Sequence, residues 1–521
     1  MTPQNAIATL ADIPRHHAAT RPYSPALCFN EQSTDFATLD QRTNQVAHAL
    51  RAEGLSAGEN VAILSQNTDV FFPLIFGCAK AVIALVTVNF RLTAREIQYI
   101  LSDSNAKLLF IARDLLGNIE SIACELEGLN RIVVIDDDGP QGLSAWLANQ
   151  SIEQPAWTPP GAEDRAVQMY TSGTTGNPKG VELSHRAMIA AALEGLTVWP
   201  AMQTPDSAVL AIMPLFHIAA ANLGLAGLFA GARVEIVREA SPREIVTLIA
   251  ERGIRVAPLP VPIIHAIVDL PDIASFDLSG FDTLLIAGSG IAVDLLQRAQ
   301  AALNCGFALS YGMTECCGGV TYLGPDQCTP QAGERLKSAG QVLGACELKI
   351  VDENRTTLPP GAVGEIACRT NRIMNGYWGR PDATAEVVDA GWYYSGDAGY
   401  LDEDGFLFVV DRIKDMVVSG GENIYPAEIE NELMRHPDIK ELAVIGVPDE
   451  KWGEALLAFV VMEDGADLDS EALIAFCRNA LAGYKIPRRY QAIDVLPRNA
   501  TGKVLKRTLR DQAQTLITAT T

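Results

Sequence analysis

A stretch of glycines and hydroxyl side chains around one lysine is the part of the sequence whose residue types most directly suggest chemistry. It reads Tyr170-Thr-Ser-Gly-Thr-Thr-Gly-Asn-Pro-Lys-Gly180. Glycines let backbone N–H groups converge on an anion, hydroxyls donate further hydrogen bonds, and Lys179 adds a full positive charge. The lysine follows Pro178, so the stretch is not the G-x-x-x-x-G-K-[ST] loop of other nucleotide-binding proteins. We interpret it as a phosphate-binding loop rather than a flexible surface turn.

Seven further strings follow or accompany this loop, and most of them combine glycines or small residues with one polar group. They are Pro214-Leu-Phe-His217, Ala287-Gly-Ser-Gly290, Tyr311-Gly-Met-Thr-Glu315, Tyr394-Ser-Gly-Asp397, Asp411-Arg-Ile-Lys-Asp415, Ser419-Gly-Gly-Glu-Asn-Ile-Tyr-Pro426 and Pro497-Arg-Asn-Ala-Thr-Gly-Lys503. In type and order, the loop and these strings resemble the signatures of the adenylate-forming superfamily, which includes acyl-CoA synthetases, peptide-synthetase adenylation domains and luciferases. The resemblance extends from about residue 10 to about residue 510.

The resemblance implies an enzyme that joins a carboxylate to the α-phosphate of ATP, with Mg²⁺ present. Because two anions meet in that reaction, the site must supply cations and fixed donors. Lys503 would bridge the two anions, Glu315 and Thr174 would hold the metal, and Thr171 and His217 complete the expected catalytic set. The expected ATP and AMP residues are Thr171, Ser172, Gly173, Thr174, Thr175, Gly176, Lys179, Gly288, Ser289, Gly290, Ser310, Tyr311, Gly312, Met313, Thr314, Asp397, Arg412 and Lys503.

The resemblance also predicts where the acid binds. His217 would gate the carboxylate pocket and the thiol channel, although a lone histidine on an apolar segment is more often a core residue. The expected pocket residues are His217, Ala219, Ala287, Ser310, Cys316, Gly318 and Gly319. Most are small, which disfavours acetate, and no Lys or Arg lies in these strings, which disfavours dicarboxylates. A medium- or long-chain fatty acid, or an aryl or phenylpropenoic acid, remains open.

Coenzyme A is the expected acyl acceptor, because no carrier-protein module follows Lys503. Trp452 resembles an aromatic residue that stacks on the CoA adenine in some aryl-CoA ligases, and packing at a subdomain edge is the alternative for it. The expected CoA residues are Ser419, Gly420, Gly421, Trp452, Tyr484 and Arg488. Two other functions stay open: an adenylate-forming enzyme that loads a free-standing carrier protein, and a non-catalytic nucleotide-binding scaffold. The joint presence of Lys179, Glu315, Asp397, Arg412 and Lys503 disfavours the scaffold.

The elements that must position these residues form an α/β pattern. Up to about residue 340, apolar runs such as 59–65, 106–112 and 254–260 alternate with helix-period segments such as 94–103. This alternation favours parallel sheets covered by helices. We expect an N-terminal adenylation domain over residues 1–411, with a small β-rich subdomain at about 340–411. A hinge at 412–414, centred on Lys414, would lead to a mobile α+β domain at 415–521, which would move between the two half-reactions.

Composition limits the partners. The net charge of −23 over 521 residues argues against nucleic acid and anionic membranes, which reward clustered Lys and Arg. Cysteines without a C-x-x-C pair and histidines without ligand spacing argue against a zinc site and favour free thiols in a reducing cytosol.

The longest apolar stretch, 208–230, is interrupted by Pro214, His217 and Asn222, so we expect a strand, loop and helix rather than a membrane span. We expect a cytoplasmic protein that lacks a signal peptide and binds an acid, ATP and CoA; a homodimer is left open.

Overall fold

The computed structural model describes residues 6–122, 125–171, 177–204, 206–287, 291–419, 422–449, 452–478, 480–498 and 502–519. The chain divides into two compact units. Unit 1 comprises residues 1–348, 368–393 and 405–407, and unit 2 comprises residues 349–367, 394–404 and 408–521. Unit 2 therefore includes two segments that precede residue 411, and the division into domains at 411–415 stays a prediction.

Strands and helices alternate through most of the described chain. The strands are β1 Pro25–Phe29, β2 Gln32–Asp35, β3 Asn60–Leu64, β4 Ala84–Val88, β5 Ala106–Ile111, β6 Arg131–Val134, β7 Arg165–Thr171, β8 Lys179–Ser184, β9 Ala208–Ala211, β10 Arg233–Ile236, β11 Ile254–Pro260, β12 Thr283–Ala287, β13 Gly306–Ala308, β14 Gly312–Met313, β15 Gly318–Gly319, β16 Thr321–Tyr322, β17 Gln341–Val342, β18 Glu347–Val351, β19 Gly364–Arg369, β20 Gly376–Tyr377, β21 Val388–Asp389, β22 Trp392–Leu401, β23 Leu407–Arg412, β24 Val417–Ser419, β25 Glu422–Ile424, β26 Ile439–Asp449, β27 Gly453–Met462 and β28 Arg489–Ala492. The helices are α1 Asp12–Thr20, α2 Phe36–Ala52, α3 Phe71–Lys80, α4 Ala94–Asp103, α5 Leu116–Glu120, α6 Leu143–Leu147, α7 His185–Val198, α8 Ile218–Ala230, α9 Pro242–Glu251, α10 Val261–Val268, α11 Val293–Leu303, α12 Pro381–Val387, α13 Pro426–Leu433, α14 Ser470–Arg478 and α15 Lys506–Ala519.

Two seven-stranded sheets form the framework of unit 1. The first has the strand order β13-β12-β11-β9-β10-β1-β2 and is parallel except where β2 joins β1. The second has the order β20-β8-β7-β4-β3-β5-β6, with β7, β4, β3, β5 and β6 parallel and β8 and β20 antiparallel to their neighbours. Every residue of β3 and β4 is buried, as expected for parallel strands covered on both faces. The predicted α/β class is confirmed.

Two helices of unit 1 matter for the site described below. Helix α7 begins where the Ser184 hydroxyl accepts the Ala187 N–H at 3.2 Å, a standard N-cap. Helix α8 ends at Gly231, whose φ of +82° is the left-handed conformation that glycine adopts most readily. The predicted apolar stretch 208–230 thus forms β9, a loop and α8. Within the described residues, no helix combines the length and hydropathy needed to cross a membrane.

Unit 2 contains a small α+β fold in its C-terminal part. Its sheet has the order β25-β24-β27-β26, and β28 pairs in parallel with β27. Side chains alternate along β26, so that Leu442 and Val444 join one apolar cluster while Ala443 and Ile445 join another. Each face of the sheet is therefore buried, one by α13 and α14 and the other by α15. Outside this C-terminal fold, a further sheet has the order β18-β19-β22-β21, and β23 pairs with β22.

Two buried histidines of unit 1 make stability depend on pH. Burial lowers the pKa of His17 to about 4, although its Nε2 lies 3.1 Å from the Phe229 carbonyl oxygen. Burial likewise lowers the pKa of His185 to about 4, and its Nδ1 accepts the Leu10 N–H at 3.3 Å. Since the unfolded chain binds protons near pH 6.5 and the folded one near pH 4, the stabilisation is complete above pH 6.5 and is lost as the pH falls towards 4.

We therefore expect the free energy of unfolding to fall below pH 6.5 by up to about 1.4 kcal/mol per pH unit for each histidine. His185→Asn, which retains an acceptor for the Leu10 N–H, should remove one histidine's share of that slope. The measurement is urea unfolding at several pH values between 7.5 and 5, with the exposed His265→Asn as the control for loss of a histidine. A slope that His185→Asn leaves unchanged would contradict this account.

Candidate active site

A buried carboxylate lies at the base of the predicted phosphate loop. Glu315 is in the turn that follows β14 and is only 7% exposed. Its Oε1 accepts hydrogen bonds from the Thr171 hydroxyl at 3.2 Å and from the Tyr377 hydroxyl at 3.0 Å. Thr171 ends β7 and Lys179 begins β8, and the two residues are register partners, so the glycine-rich segment connects an antiparallel hairpin. The Lys179 ammonium lies 4.8 Å from the centre of the Tyr377 ring.

A polar cluster that the sequence analysis missed holds both ends of this loop. Asp103, at the end of α4, accepts hydrogen bonds from the Tyr170 hydroxyl at 2.7 Å and from Arg380 at 2.8 Å. Arg380 also donates to the Tyr99 hydroxyl at 2.7 Å, and that hydroxyl lies 3.2 Å from the Pro178 carbonyl oxygen. Burial, together with the neighbouring Asp103, raises the pKa of Tyr170, so its hydroxyl stays a donor. The cluster fixes the residues that flank the loop.

Some predicted site residues lie outside the described part of the chain. They are Ser172, Gly173, Thr174, Thr175, Gly176, Gly288, Ser289 and Gly290 of the ATP set and Gly420 and Gly421 of the CoA set. The side chain of Ala287 is outside it as well. Of the two predicted metal ligands, Glu315 belongs to the described residues and Thr174 does not. Among the described residues, no group of three His, Cys, Asp or Glu side chains could hold a metal ion. One carboxylate still suits Mg²⁺, which usually binds one or two carboxylates together with substrate phosphates.

Unit 2 brings together the three predicted residues Asp397, Arg412 and Lys503. Arg412 Nε lies 2.6 Å from Asp397 Oδ1, and Asp397 is 8% exposed. Burial lowers the pKa of Lys503, the positive charge of Arg412 lowers it further, and Asp397 acts in the opposite direction. Asp397 could accept hydrogen bonds from the ribose hydroxyls of a nucleotide, and Arg412 and Lys503 are cations suited to its phosphate.

The predicted hinge residue lies close to these groups. Lys414 is in the short 3-10 turn Ile413–Asp415, and burial lowers the pKa of its side chain. The adjacent Asp415 is buried, and its Oδ1 accepts a hydrogen bond from Arg510 at 2.9 Å. The turn is packed within unit 2, and the hinge role of Lys414 stays a prediction.

His217 occupies the N-cap position of α8. Burial and, less strongly, the positive charge of Arg91 lower the pKa of its imidazole to about 4. The side chain is therefore uncharged at neutral pH. Its ring lies 4.3 Å from that of Phe216, centre to centre.

A cavity of about 210 Å³ lies in unit 1 beside α7 and α8. It is lined by Ala191, Glu194, Gly195, Val198, Trp199, Ala219, Asn222, Leu223, Pro258, Leu285, Ile286, Ser310, Cys317, Gly318, Gly319, Tyr322, Leu343 and Arg372. Four predicted acyl-pocket residues, Ala219, Ser310, Gly318 and Gly319, are on this lining. Cys316 and His217 are not: the Cys316 sulfur lies 3.2 Å from the Cys368 sulfur, and Cys317 faces the cavity instead.

The pocket strings contain no Lys or Arg, as noted above, but an arginine from outside them adjoins the cavity. Arg372 lies on the cavity wall and is 2% exposed, and its Nη2 is 2.6 Å from Glu194 Oε2 and 2.7 Å from the Gly319 carbonyl oxygen. Arg372 reaches the cavity from the loop that follows β19. Burial raises the pKa of Glu194, and the Arg372 charge opposes that shift. Because the guanidinium is paired with Glu194, it does not favour a dicarboxylate.

Part of the predicted CoA set forms one small surface of unit 2. The Arg488 guanidinium lies 4.8 Å from the centre of the Trp452 ring, and the backbone N–H of Trp452 donates to Asp449 Oδ1 at 3.0 Å. Ser419 pairs with Gly453, the residue after Trp452. Tyr484 is 46% exposed and precedes Lys485. An aromatic ring and a guanidinium thus lie side by side in this part of unit 2.

A mixed α/β fold with a hydroxyl- and glycine-rich hairpin loop next to a buried carboxylate is typical of nucleotide-binding enzymes. Comparison with family models narrows that class. The model described as AMP-binding enzyme matches residues 14–378, and the model described as AMP-binding enzyme C-terminal domain matches residues 428–503. The chain belongs to the family of AMP-binding enzymes, and the predicted membership of the adenylate-forming superfamily is confirmed.

Relatives and solved structures match nearly the whole chain. A fatty acid–[acyl-carrier-protein] ligase, ScoC, of Streptomyces coeruleorubidus is 38% identical, over 97% of this chain and 96% of its own length. A feruloyl-CoA synthase of Amycolatopsis is 35% identical, over 96% of this chain and 98% of its own. The crystal structure of the anthranilate CoA ligase AuaEII with anthranoyl-AMP superposes with a TM-score of 0.85 at 26% identity, covering 98% and 99% of the two chains. The predicted enzyme class, an acid–thiol ligase, is confirmed.

Proposed function

We propose that this protein uses ATP to convert a carboxylic acid to an acyl adenylate with release of pyrophosphate, and then transfers the acyl group to the thiol of coenzyme A. One observation carries the proposal. In the β14–β15 hairpin, Gly312 pairs with Gly319 and Met313 with Gly318. Its turn contains Glu315 beside the phosphate loop, while Gly318 and Gly319 line the cavity. A carboxylate at the end of an acyl group in that cavity would therefore lie next to the nucleotide phosphates.

The charges of the predicted residues suit the first half-reaction. A carboxylate oxygen attacks the α-phosphorus and pyrophosphate leaves, so negative charge is concentrated where the two anions meet. Lys179 and Lys503 would offset that charge, and Asp397 with Arg412 would hold the ribose. Mg²⁺, held by Glu315 and the phosphate oxygens, would supply further positive charge.

In the second half-reaction the thiol sulfur attacks the carbonyl carbon, the bond from that carbon to the AMP oxygen breaks, and the thiol proton is released to solvent. An imidazole with a pKa of about 4 is a weak base, so His217 is better suited to gating the carbonyl than to removing the thiol proton. Because the imidazole of His217 is uncharged at neutral pH, it does not form an ion pair with the substrate carboxylate. We also infer a cytoplasmic location from the described cysteines, all of which are free thiols.

The acceptor has two candidates. Trp452 beside Arg488 favours coenzyme A, because an aromatic face and a guanidinium suit an adenine and a phosphate. The fatty acid–[acyl-carrier-protein] ligase among the relatives supports the second candidate, a free-standing carrier protein.

A competition experiment tests the acceptor. Equal concentrations of CoA and a phosphopantetheinylated carrier protein would be supplied with ATP, Mg²⁺ and a panel of acids, and both acyl thioesters measured by mass spectrometry. We expect acyl-CoA to predominate, and we expect Trp452→Ala to raise the KM for CoA about tenfold, since stacking on a base contributes about 1–3 kcal/mol. Tyr23→Ala is the control, because Tyr23 is an exposed aromatic residue (86%) outside the predicted CoA set. Predominant loading of the carrier would favour the second candidate instead.

A further inference from the structure

The positions of α7 and α8 indicate along which direction the acyl cavity extends. Helix α8 begins just after the carboxyl end of β9 and packs back along that strand. Ala219 lies in its first turn, and a Cβ placed on Gly195 of α7 would lie 3.1 Å from the Cβ of Ala226, two turns further on. Since an α-helix rises 1.5 Å per residue, the levels of Ala219 and Ala226 are about 10 Å apart. The cavity extends from the hairpin that contains Gly318 and Gly319 towards the C-terminal end of α7.

Two aromatic rings are found at that far end. Trp199 directly follows the last residue of α7, and its ring carbons come within 3.4 Å of a Cβ placed on Gly195. The Trp199 ring meets the Tyr322 ring edge to face, with centres 6.3 Å apart and planes at 76°. Pro200, the next residue, is exposed, so the chain reaches the protein surface immediately after Trp199. Both rings are on the cavity lining.

The other described residues of the cavity lining carry no unbalanced charge. Val198, Leu223, Leu285, Ile286 and Leu343 supply apolar surface, and the charge of Arg372 is neutralised by Glu194. The volume of about 210 Å³ is below the roughly 300–1,000 Å³ of typical ligand pockets. A long extended chain would have to pass the two rings, whereas a short or aromatic acyl group would not.

We propose that Trp199 and Tyr322 close the acyl cavity and restrict the enzyme to acids whose acyl group is compact and uncharged, such as cinnamic or octanoic acid. The inference rests on the proposed function, because it concerns the acid that is adenylated. Neither residue belongs to the family strings in the sequence, so the selectivity would be a property of this chain's own α7 and β16.

The test compares acids of different length in wild type and in two variants of Trp199, one of the two residues proposed to close the cavity. Acid-dependent pyrophosphate release would give kcat/KM for cinnamic, octanoic and palmitic acids. We expect wild type to prefer cinnamic or octanoic acid to palmitic acid at least tenfold. Trp199→Ala should raise the ratio of kcat/KM for palmitic acid to that for octanoic acid at least tenfold, because it removes the ring that closes the cavity. The matched Trp199→Phe should retain most of the wild-type preference. If Trp199→Ala does not fold, Trp199→Leu should produce a smaller rise in the same direction.

The outcomes separate this inference from the proposed function. Wild type that uses palmitic acid as well as octanoic acid would overturn the inference while supporting adenylation. A folded Trp199→Ala or Trp199→Leu protein with an unchanged ratio would overturn it as well. No pyrophosphate release with any acid would overturn the proposed function and the inference with it.

Discussion

Lys503→Ala is expected to lower the rate of acyl-adenylate formation by about 10²–10³-fold, corresponding to roughly 3–4 kcal/mol, the usual cost of removing one preorganised donor. Lys503 lies close to Asp397 and Arg412 in unit 2, where the ribose and phosphate are expected. The positive charge of Lys503 would offset the negative charge that builds up as the carboxylate attacks the α-phosphate. Transfer from a preformed acyl adenylate to CoA should persist, because that step attacks a carbonyl carbon rather than a phosphate.

The two half-reactions can be measured separately. Single-turnover pyrophosphate release reports the first, and acyl-CoA formation from synthetic acyl adenylate reports the second. Lys506→Ala is a matched control, because Lys506 is three residues away and its ammonium is paired with Glu430 at 2.8 Å. Equal losses in both half-reactions of Lys503→Ala would argue against the assigned role.

Glu315→Gln is expected to lower adenylation on the order of 10²-fold or more, because it removes the negative charge that would hold Mg²⁺. The amide retains an oxygen that can accept from Thr171 and Tyr377, so the base of the loop should keep its hydrogen bonds. The specific sign of a lost metal ligand is a weaker apparent affinity for Mg²⁺, with partial recovery of rate at high Mg²⁺ concentration.

Tyr377→Phe separates the charge of Glu315 from its hydrogen bonds. It removes one donor to the same carboxylate oxygen and should cost only about 0.5–1.5 kcal/mol, with the Mg²⁺ dependence unchanged. The measurement is the initial rate of pyrophosphate release as a function of Mg²⁺ concentration in both variants. If Glu315→Gln keeps the wild-type Mg²⁺ dependence, its carboxylate anchors the loop without binding the metal.

The parts of the fold that were predictable are those with a local pattern. The apolar run 254–260 became β11 and the helix-period segment 94–103 became α4, with the same bounds. Buried parallel strands give continuous apolar runs and amphipathic helices give a 3.6-residue period, and both can be recognised within ten residues. Thr171 and Glu315 were likewise accessible from the sequence because they belong to short strings.

The residues that the sequence did not indicate reach the site by tertiary packing. Asp103 approaches the phosphate loop from the end of α4, and Arg372 approaches the acyl cavity from the loop after β19. No spacing relates either residue to the motif it supports. The difference between Cys316 and Cys317 has a local cause: Cys317 has a φ of +53°, a left-handed conformation that redirects successive side chains and that a sequence pattern does not reveal.

The central claim is that the acid is activated as an adenylate, and acid-dependent exchange of labelled pyrophosphate into ATP tests it most directly. The assay needs only the enzyme, ATP, Mg²⁺, labelled pyrophosphate and an acid, with no thiol present. We predict that label enters ATP only when an accepted acid such as cinnamic or octanoic acid is added, and that the nucleotide product of the full reaction is AMP. Thioester formation without any acid-dependent exchange, or with ADP as the nucleotide product, would contradict the account.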